Sequence, residues 1–329
     1  MSENKILFLS AKDVEKAITM KETIAEMQDA FLQLAKGEAV VPLRSSIDMP
    51  KENAEALFMP AYLPDISKIS LKTVTINKDN PERGLPMIQA MVMVFDAVTG
   101  SPIAVMDGEY LTAMRTGAVS GLATDLLARK DAEVVAIIGT GAQGKTQLEA
   151  VCEVREIKKA IVFDLNKERA NAFAEKMSKK LKLDVVSSTS PGDISLADII
   201  CTATSSSRPV FDDANLRTGV HINGVGSYRP DMCEIPAETI VRAKVVIDQA
   251  TAALAEAGDL LQPIEKGLIT KDHIHAELGE IVAGKKAKRE NDEEITVFKS
   301  VGVAVQDLAT AQKVIETAQK LGLGTEVSL

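Results

Sequence analysis

The sequence predicts an α/β protein in which a doubly wound parallel sheet is joined to an α+β domain with a sheet of its own. Three observations lead there. The apolar run Val134-Val135-Ala136-Ile137-Ile138 feeds directly into Gly139-Thr140-Gly141-Ala142-Gln143-Gly144. From there to Phe298, short apolar runs alternate with helical patterns, as expected for parallel strands with helices on both faces. Between Val41 and Met106, prolines instead punctuate short β-type runs, which reads as a separate sheet.

The glycine run carries the most information. A buried strand, a turn of small residues and a helix start together form a cradle for a dinucleotide pyrophosphate. Small residues let the backbone approach, and the helix N-terminus offers free N–H groups. A second apolar run, Ala160-Ile161-Val162-Phe163, ends in Asp164, where this motif places a carboxylate for the ribose hydroxyls. The domain is therefore expected to be a Rossmann unit. Asp164 favours NAD(H), because a carboxylate repels an added ribose phosphate; Lys167 nearby keeps NADP(H) possible.

The remaining elements follow in order. Most of Met1 to about Lys36 reads as helical after the apolar run Ile6-Leu7-Phe8-Leu9. Thr19-Met20-Lys21-Glu22 matches a capping box, and Ile24, Met27, Phe31 and Leu34 fall on one helix face. Strands are expected at Leu57–Met59, Ile69–Val74 and Gln89–Phe95. Asp96–Gly100 reads as a hairpin turn, with Ile103–Met106 returning. A helix from about Tyr110 to Arg129 links the domains. Rossmann strands are expected at Val134–Ile138, Ala160–Phe163, Asp184–Ser187, Asp198–Thr202, His221–Val225, Val245–Asp248 and Ile295–Phe298. A helix from about Ala304 to Leu321 follows, with Gly322 near its end. The charge-dense run Lys285–Glu294 reads as a solvated loop.

With 329 residues, 46% of them hydrophobic, the chain can bury cores for two domains. A net charge of −9 argues against nucleic acid or an anionic membrane as partner. No apolar run approaches a membrane span, and the N-terminus lacks a signal-peptide pattern. Cys152, Cys201 and Cys233 are odd in number and far apart, as free thiols of a cytoplasmic protein would be. His273-Ile274-His275 has no third ligand at metal spacing, so no metal is expected.

Three cations could carry chemistry. Arg115 sits on an apolar, small-residue helix, where a guanidinium is costly unless paired. It is either a bidentate clamp for a substrate carboxylate or half of an ion pair with a protein acid. Arg44, at the edge of a β-type run, is a surface charge or a second arm of that clamp. Lys72 lies mid-run in Ile69–Val74 with ambiguous facing. It is either a strand lysine with its ammonium in water or a partly buried amine whose pKa nearby arginines lower. Such an amine can give or take a proton near neutral pH.

Taken together, these residues resemble the ornithine cyclodeaminase/mu-crystallin family. The marks are Arg44 after Val41-Pro42, Met59-Pro60, Lys72-Thr73-Val74, Arg115-Thr116-Gly117-Ala118, the Gly139–Gly144 loop, and Phe298-Lys299-Ser300-Val301-Gly302 followed by Gln306-Asp307. The resemblance implies a discontinuous substrate-binding and dimerisation domain, residues 1–120 and 304–329, around a Rossmann domain, residues 121–303. It implies a homodimer, Arg44 and Arg115 as the carboxylate clamp, and Lys72 as the catalytic lysine. Cofactor contacts would come from Thr116, Gly139, Thr140, Gly141, Ala142, Gln143, Gly144 and Asp164. The nicotinamide ring would lie near Thr202, Ala203, Thr204, Val225, Gly226, Ser300 and Gly302, with Val301 touching substrate.

Two departures narrow the activity. Ornithine cyclodeaminases carry Glu two residues before Met-Pro, where this chain has Leu57. They carry a catalytic Asp two residues before a loop Pro, where this chain has Tyr228. Alanine dehydrogenases of the family also tend to use that Asp. The resemblance therefore implies an NAD(P)H-dependent reductase of small cyclic imino acids, of the 1-pyrroline-2-carboxylate or ketimine type, giving proline-like products. The alternatives are alanine dehydrogenase, ornithine cyclodeaminase, or a non-catalytic crystallin-like binder of NAD(P)H.

Overall fold

A computed structural model describes residues 5–328; the first four residues and Leu329 of the spans named above lie outside the described residues. The elements in chain order are β1 (Lys5–Leu9), α1 (Ala11–Ala17), α2 (Met20–Lys36), β2 (Ser45–Met49), β3 (Ala54–Leu63), β4 (Lys68–Asn77), β5 (Ile88–Asp96), β6 (Pro102–Asp107) and α3 (Gly108–Leu127). Then come β7 (Val134–Ile138), α4 (Ala142–Val154), β8 (Lys159–Phe163), α5 (Lys167–Leu181), β9 (Asp184–Ser187), β10 (Ile199–Thr202), β11 (His221–Gly224), α6 (Ala237–Arg242) and β12 (Lys244–Ile247). The chain ends with α7 (Ala250–Glu256), α8 (Gly258–Glu265), β13 (Ile274–Glu277), α9 (Leu278–Val282), β14 (Thr296–Lys299), α10 (Ala304–Leu321) and β15 (Thr325–Ser328).

Contacts divide the chain into two compact units, residues 1–115 with 303–329, and residues 116–302. The division falls at 115/116, five residues before the expected 120/121, and α3 runs continuously through both positions. Its residues 113–124 are buried on every side, so its apolar, small-residue composition has no polar face.

The first unit is built on a seven-stranded sheet in the order β15-β1-β6-β5-β4-β3-β2. β3, β4, β5 and β6 form an antiparallel meander. The hairpin turn closes as expected: Gly100 donates to the Asp96 carbonyl at φ +74°. Alternation along β3 buries Leu57, Met59, Ala61 and Leu63 on one face. Register sets Leu57 against Val74, Met59 against Lys72 and Lys72 against Val92. α10 lies on this sheet beside α2 and α1. The N-terminal stretch is a strand and two helices rather than one helix, because Ile18 is extended and Thr19 opens a new cap. That cap is the expected box: Thr19 Oγ1 accepts from Glu22 N, and Glu22 accepts from Thr19 N. Gly322 ends α10 in the left-handed conformation. Two strands have no forerunner in the sequence pattern, β2, whose residues are nearly all exposed, and β15, which pairs with β1.

The second unit is an eight-stranded sheet, β13-β12-β14-β11-β10-β7-β8-β9, and all of its pairings are parallel. The order reverses between β7 and β10, a topological switch point where ligands bind in open α/β sheets. β10, β11 and β14 are buried at every position, the polar His221, Asn223, Thr296 and Lys299 included. Val135, Ile137, Leu148, Val151, Val162, Phe173 and Met177 share one core. The sequence reading missed β13, where the polar-flanked His-Ile-His hid a strand. Lys285–Glu294 is also more than a solvated loop. Arg289 donates to the carbonyls of Leu127, Gly219 and Glu294, and Lys244 pairs with Glu290 and Glu294.

Candidate active site

In the first unit, β4 delivers Lys72 to the inner face of the sheet and α10 covers it. Lys72 is 1% exposed, so its ammonium is not in water. Its Nζ lies 2.7 Å from Asp307 Oδ2. Arg115 Nε donates to the other carboxylate oxygen, Asp307 Oδ1, at 3.0 Å, and Arg115 Nη1 donates to Gln306 Oε1 at 2.6 Å. The protein acid offered as one reading of Arg115 is therefore present, and it is shared with Lys72. Arg44 is half-buried just ahead of β2 and close enough to act on Lys72.

The electrostatics follow from this geometry. Burial is the largest effect on Lys72 and drives its pKa down from 10.5 to about 7. The Arg115 and Arg44 guanidiniums push the same way, while Asp307 opposes them. The result is an amine that exchanges protons near neutral pH. Leu57 stands two residues from Met59 on the same buried face, next to Lys72 across the β3–β4 ladder. Gln306 and Asp307, quoted from the sequence without a role, are the residues that organise this cluster.

In the second unit, the expected glycine loop is a cradle. Gly139 has φ +101°, and a Cβ there would lie 2.5 Å from the Ala203 carbonyl oxygen at the end of β10. Gly141 faces open space at the N-cap of α4, whose first N–H groups have no side-chain cap. These are the requirements of a dinucleotide pyrophosphate, and the residues fit the group. Asp164 Oδ2 accepts from Thr140 N and Oγ1, and Oδ1 accepts from Asn166 N. Burial pushes the Asp164 carboxyl up, but these bonds outweigh it and hold the group below the usual carboxylate range. Ala142 and Gln143 open α4, and the Thr116 carbonyl accepts from the buried Gln147 Nε2.

Of the remaining predicted residues, Thr202 closes β10 and the others sit on loops at the carboxyl ends of β10, β11 and β14. Ser300, Val301 and Gly302 are held by one carboxylate oxygen, Asp248 Oδ2, which accepts from Ser300 Oγ and the Val301 and Gly302 amides. Thr202, Thr204 and Gly226 converge on Glu234. Val225 is buried and Tyr228 half-buried beyond them. Asp248, Glu234 and Asp259 went unnoticed in the sequence, where nothing separates a buried acid from a solvated one. Among the described residues, no group of His, Cys, Asp and Glu is arranged to hold a metal, and no helix is long and apolar enough to cross a membrane. His273 and His275 are each bonded to a backbone carbonyl.

A family model for the ornithine cyclodeaminase/mu-crystallin family matches residues 4–321. The chain belongs to that family. It is 44% identical to a Delta(1)-pyrroline-2-carboxylate reductase of Bacillus cereus, over 98% of this chain and 99% of that one. A solved structure of the Thermococcus litoralis Delta(1)-pyrroline-2-carboxylate reductase in complex with NADH and L-proline matches at TM-score 0.95 and 46% identity, covering 98% of this chain and 100% of the other. An archaeal alanine dehydrogenase dimer with bound NAD matches at TM-score 0.93 and 34% identity, covering 99% of each chain.

The Asp164 contacts generate a prediction. Asp164→Ser removes the anchor of Thr140 and, on the expectation that Asp164 selects the cofactor, a charge that would repel a ribose phosphate. The preference for NADH over NADPH, read as the ratio of dissociation constants by calorimetry, should fall about tenfold, a difference of about 1.4 kcal/mol. An unchanged ratio would remove Asp164 from cofactor selection.

Proposed function

We propose that this protein is an NAD(H)-dependent reductase of small cyclic imino acids of the 1-pyrroline-2-carboxylate type, forming proline-like amino acids. The observation that carries the reading is the buried Lys72 beside Arg115, its pKa lowered to about 7, in a chain whose second unit has a glycine loop fit for a dinucleotide. Bound NADH supplies the hydride that reduces the imine carbon. Arg44 and Arg115 hold the substrate carboxylate by charge-assisted hydrogen bonds. Lys72 donates a proton to the imine nitrogen, so that the carbon beside it becomes electrophilic, and the neutral amine is reprotonated from solvent. Burial around Lys72 keeps water out of the transfer to the imine nitrogen; the amine regains its proton once the product has left.

Leu57 favours an imino acid over a diamino acid. A side-chain ammonium set against this apolar wall would be desolvated without a partner. Tyr228, where cyclodeaminases carry their loop Asp, removes a second acid such a substrate would use. The relatives named as pyrroline-2-carboxylate reductases support the same substrate class. Cytoplasmic residence belongs to this proposal, supported by three free cysteines among the described residues.

The test is NADH oxidation measured side by side with 1-pyrroline-2-carboxylate, its ring-expanded homologue, pyruvate plus ammonium, and the reverse assays with alanine and ornithine. The cyclic imines should turn over fastest. Lys72→Ala should lower kcat by about 10²–10⁴-fold, the usual contribution of a positioned acid, while the NADH dissociation constant stays the same. Turnover fastest with pyruvate plus ammonium, or near-native turnover by Lys72→Ala, would overturn the reading.

We further propose that the protein is a homodimer joined through the first unit. The helices occupy one face of its sheet, and the other face leaves Phe8, Ile47, Ile69 and Met91 exposed. Register sets Thr73 opposite Met91 and Leu71 opposite Met93 on that face. An exposed apolar surface of this kind marks an interaction site. Light scattering should find a dimer, and Ile69→Lys with Met91→Lys should yield folded monomers. A monomeric parent protein would contradict the assignment.

A further inference from the structure

Glu234 has no polar surface to serve. It is 0% exposed, yet its carboxylate accepts bonds from five donors. Oε1 takes Thr204 N at 2.6 Å and Thr204 Oγ1 at 2.8 Å. Oε2 takes Thr202 Oγ1 at 3.0 Å, Gly226 N at 2.7 Å and Ser227 N at 3.0 Å. The first three donors belong to the segment that ends β10, the last two to the segment after β11. A Cβ on Gly226 would strike the Thr204 backbone, so the two segments are in close contact.

Glu234 is itself held from behind. Asp259 Oδ1 accepts from the Glu234 and Ile235 amides at 2.6 and 2.9 Å. Asp259 Oδ2 lies 2.9 Å from Lys299 Nζ, and both side chains are fully buried. Lys299 ends β14 and precedes Ser300. One buried network thus reaches the carboxyl ends of three neighbouring strands, β10, β11 and β14. Burying two carboxylates and an ammonium is expensive, and apolar side chains of similar volume would fill the same space. A fold that needed packing alone would not require this arrangement.

We infer that Glu234 is a positioning residue for the reduction: saturated with donors, it staples the Thr202–Thr204 segment to the Gly226–Ser227 segment and so fixes the shape of the nicotinamide end of the cofactor site. This rests on the reductase reading for its chemistry. Its binding consequence rests on the dinucleotide cradle alone. Burial pushes the Glu234 carboxyl above the usual range, and Lys299 and the Thr204 donors oppose that shift. A glutamine cannot substitute. Its amide donates, so it would oppose the Thr204 N–H in place of Oε1, or the Gly226 and Ser227 N–H groups in place of Oε2; only the threonine hydroxyls could turn to accept.

The experiment measures NADH affinity by calorimetry, kcat and KM for the cyclic imine, and melting temperature, in the full chain. Variants are Glu234→Gln, Thr204→Val and Thr202→Val. Glu234→Gln should raise the NADH dissociation constant about tenfold or more, equivalent to about 1.4 kcal/mol, and lower kcat while KM for the imine changes less. Each threonine variant, losing one donor, should raise the dissociation constant by a smaller factor. A purely structural role would lower the melting temperature and leave NADH affinity unchanged well below it. The inference is overturned if folded Glu234→Gln binds NADH within twofold of the parent. Should that variant not fold, the two threonine variants decide on the same criterion. Because affinity is read without turnover, a parent that binds NADH but does not reduce the imine would sink the reductase reading and leave this result intact.

Discussion

Asp307 is the group on which the first unit depends. Its two oxygens hold two different cations, Lys72 and Arg115, in a region that excludes water. Two cations side by side in a core are costly without an acid between them, and an acid alone there would be as costly. Three segments far apart in sequence therefore have to meet: the middle of β4, the middle of α3 and the first turn of α10. The return of α10 to the first unit after the whole second unit has been traversed serves this meeting. Around it, Met59 and Val92 flank Lys72 in register and keep the ammonium desolvated.

The second unit solves a different problem with a similar device. The cofactor site proposed for it lies on loops at the carboxyl ends of its strands, and loops are the mobile part of an α/β fold. Each critical loop is tied down by a single carboxylate. Asp164 holds Thr140, Glu234 holds Thr204 with Gly226 and Ser227, and Asp248 holds Ser300 to Gly302. Backbone N–H groups bonded to an ionised acid are worth more than neutral pairs. The glycines let the backbone come close; the acids keep it there.

What could be read from the sequence follows the range of the interactions. β7 and β9 lie where alternation and apolar runs put them, and the other Rossmann strands foreseen are displaced by a single residue at one or both ends. Each is governed by its own residues. The glycine loop was legible because its chemistry is contiguous. β2 escaped because it is an exposed edge, and β13 because a four-residue strand that follows His273 and contains His275 has little apolar signal. Lys72 and Arg115 were legible as candidates, but not as partners. Asp307 lies 192 residues from Arg115, and a buried acid carries no local mark that distinguishes it from a solvated one. Glu234, Asp248 and Asp259 were hidden for the same reason. Leu57 and Tyr228 were informative only against the family pattern, since an apolar or aromatic residue has no message by itself.

The central claim is that the Lys72–Asp307 pair sets a proton donor near neutral pH, and the pH profile of kcat/KM tests it most directly. Lys72 is protonated below its pKa of about 7, so kcat/KM should be level at lower pH and fall about tenfold per pH unit above it. Asp307 raises that pKa, so Asp307→Asn must move the falling limb to lower pH. A limb belonging to the free substrate would not move at all. A profile that stays flat through neutrality, or a limb that Asp307→Asn leaves in place, would contradict the account.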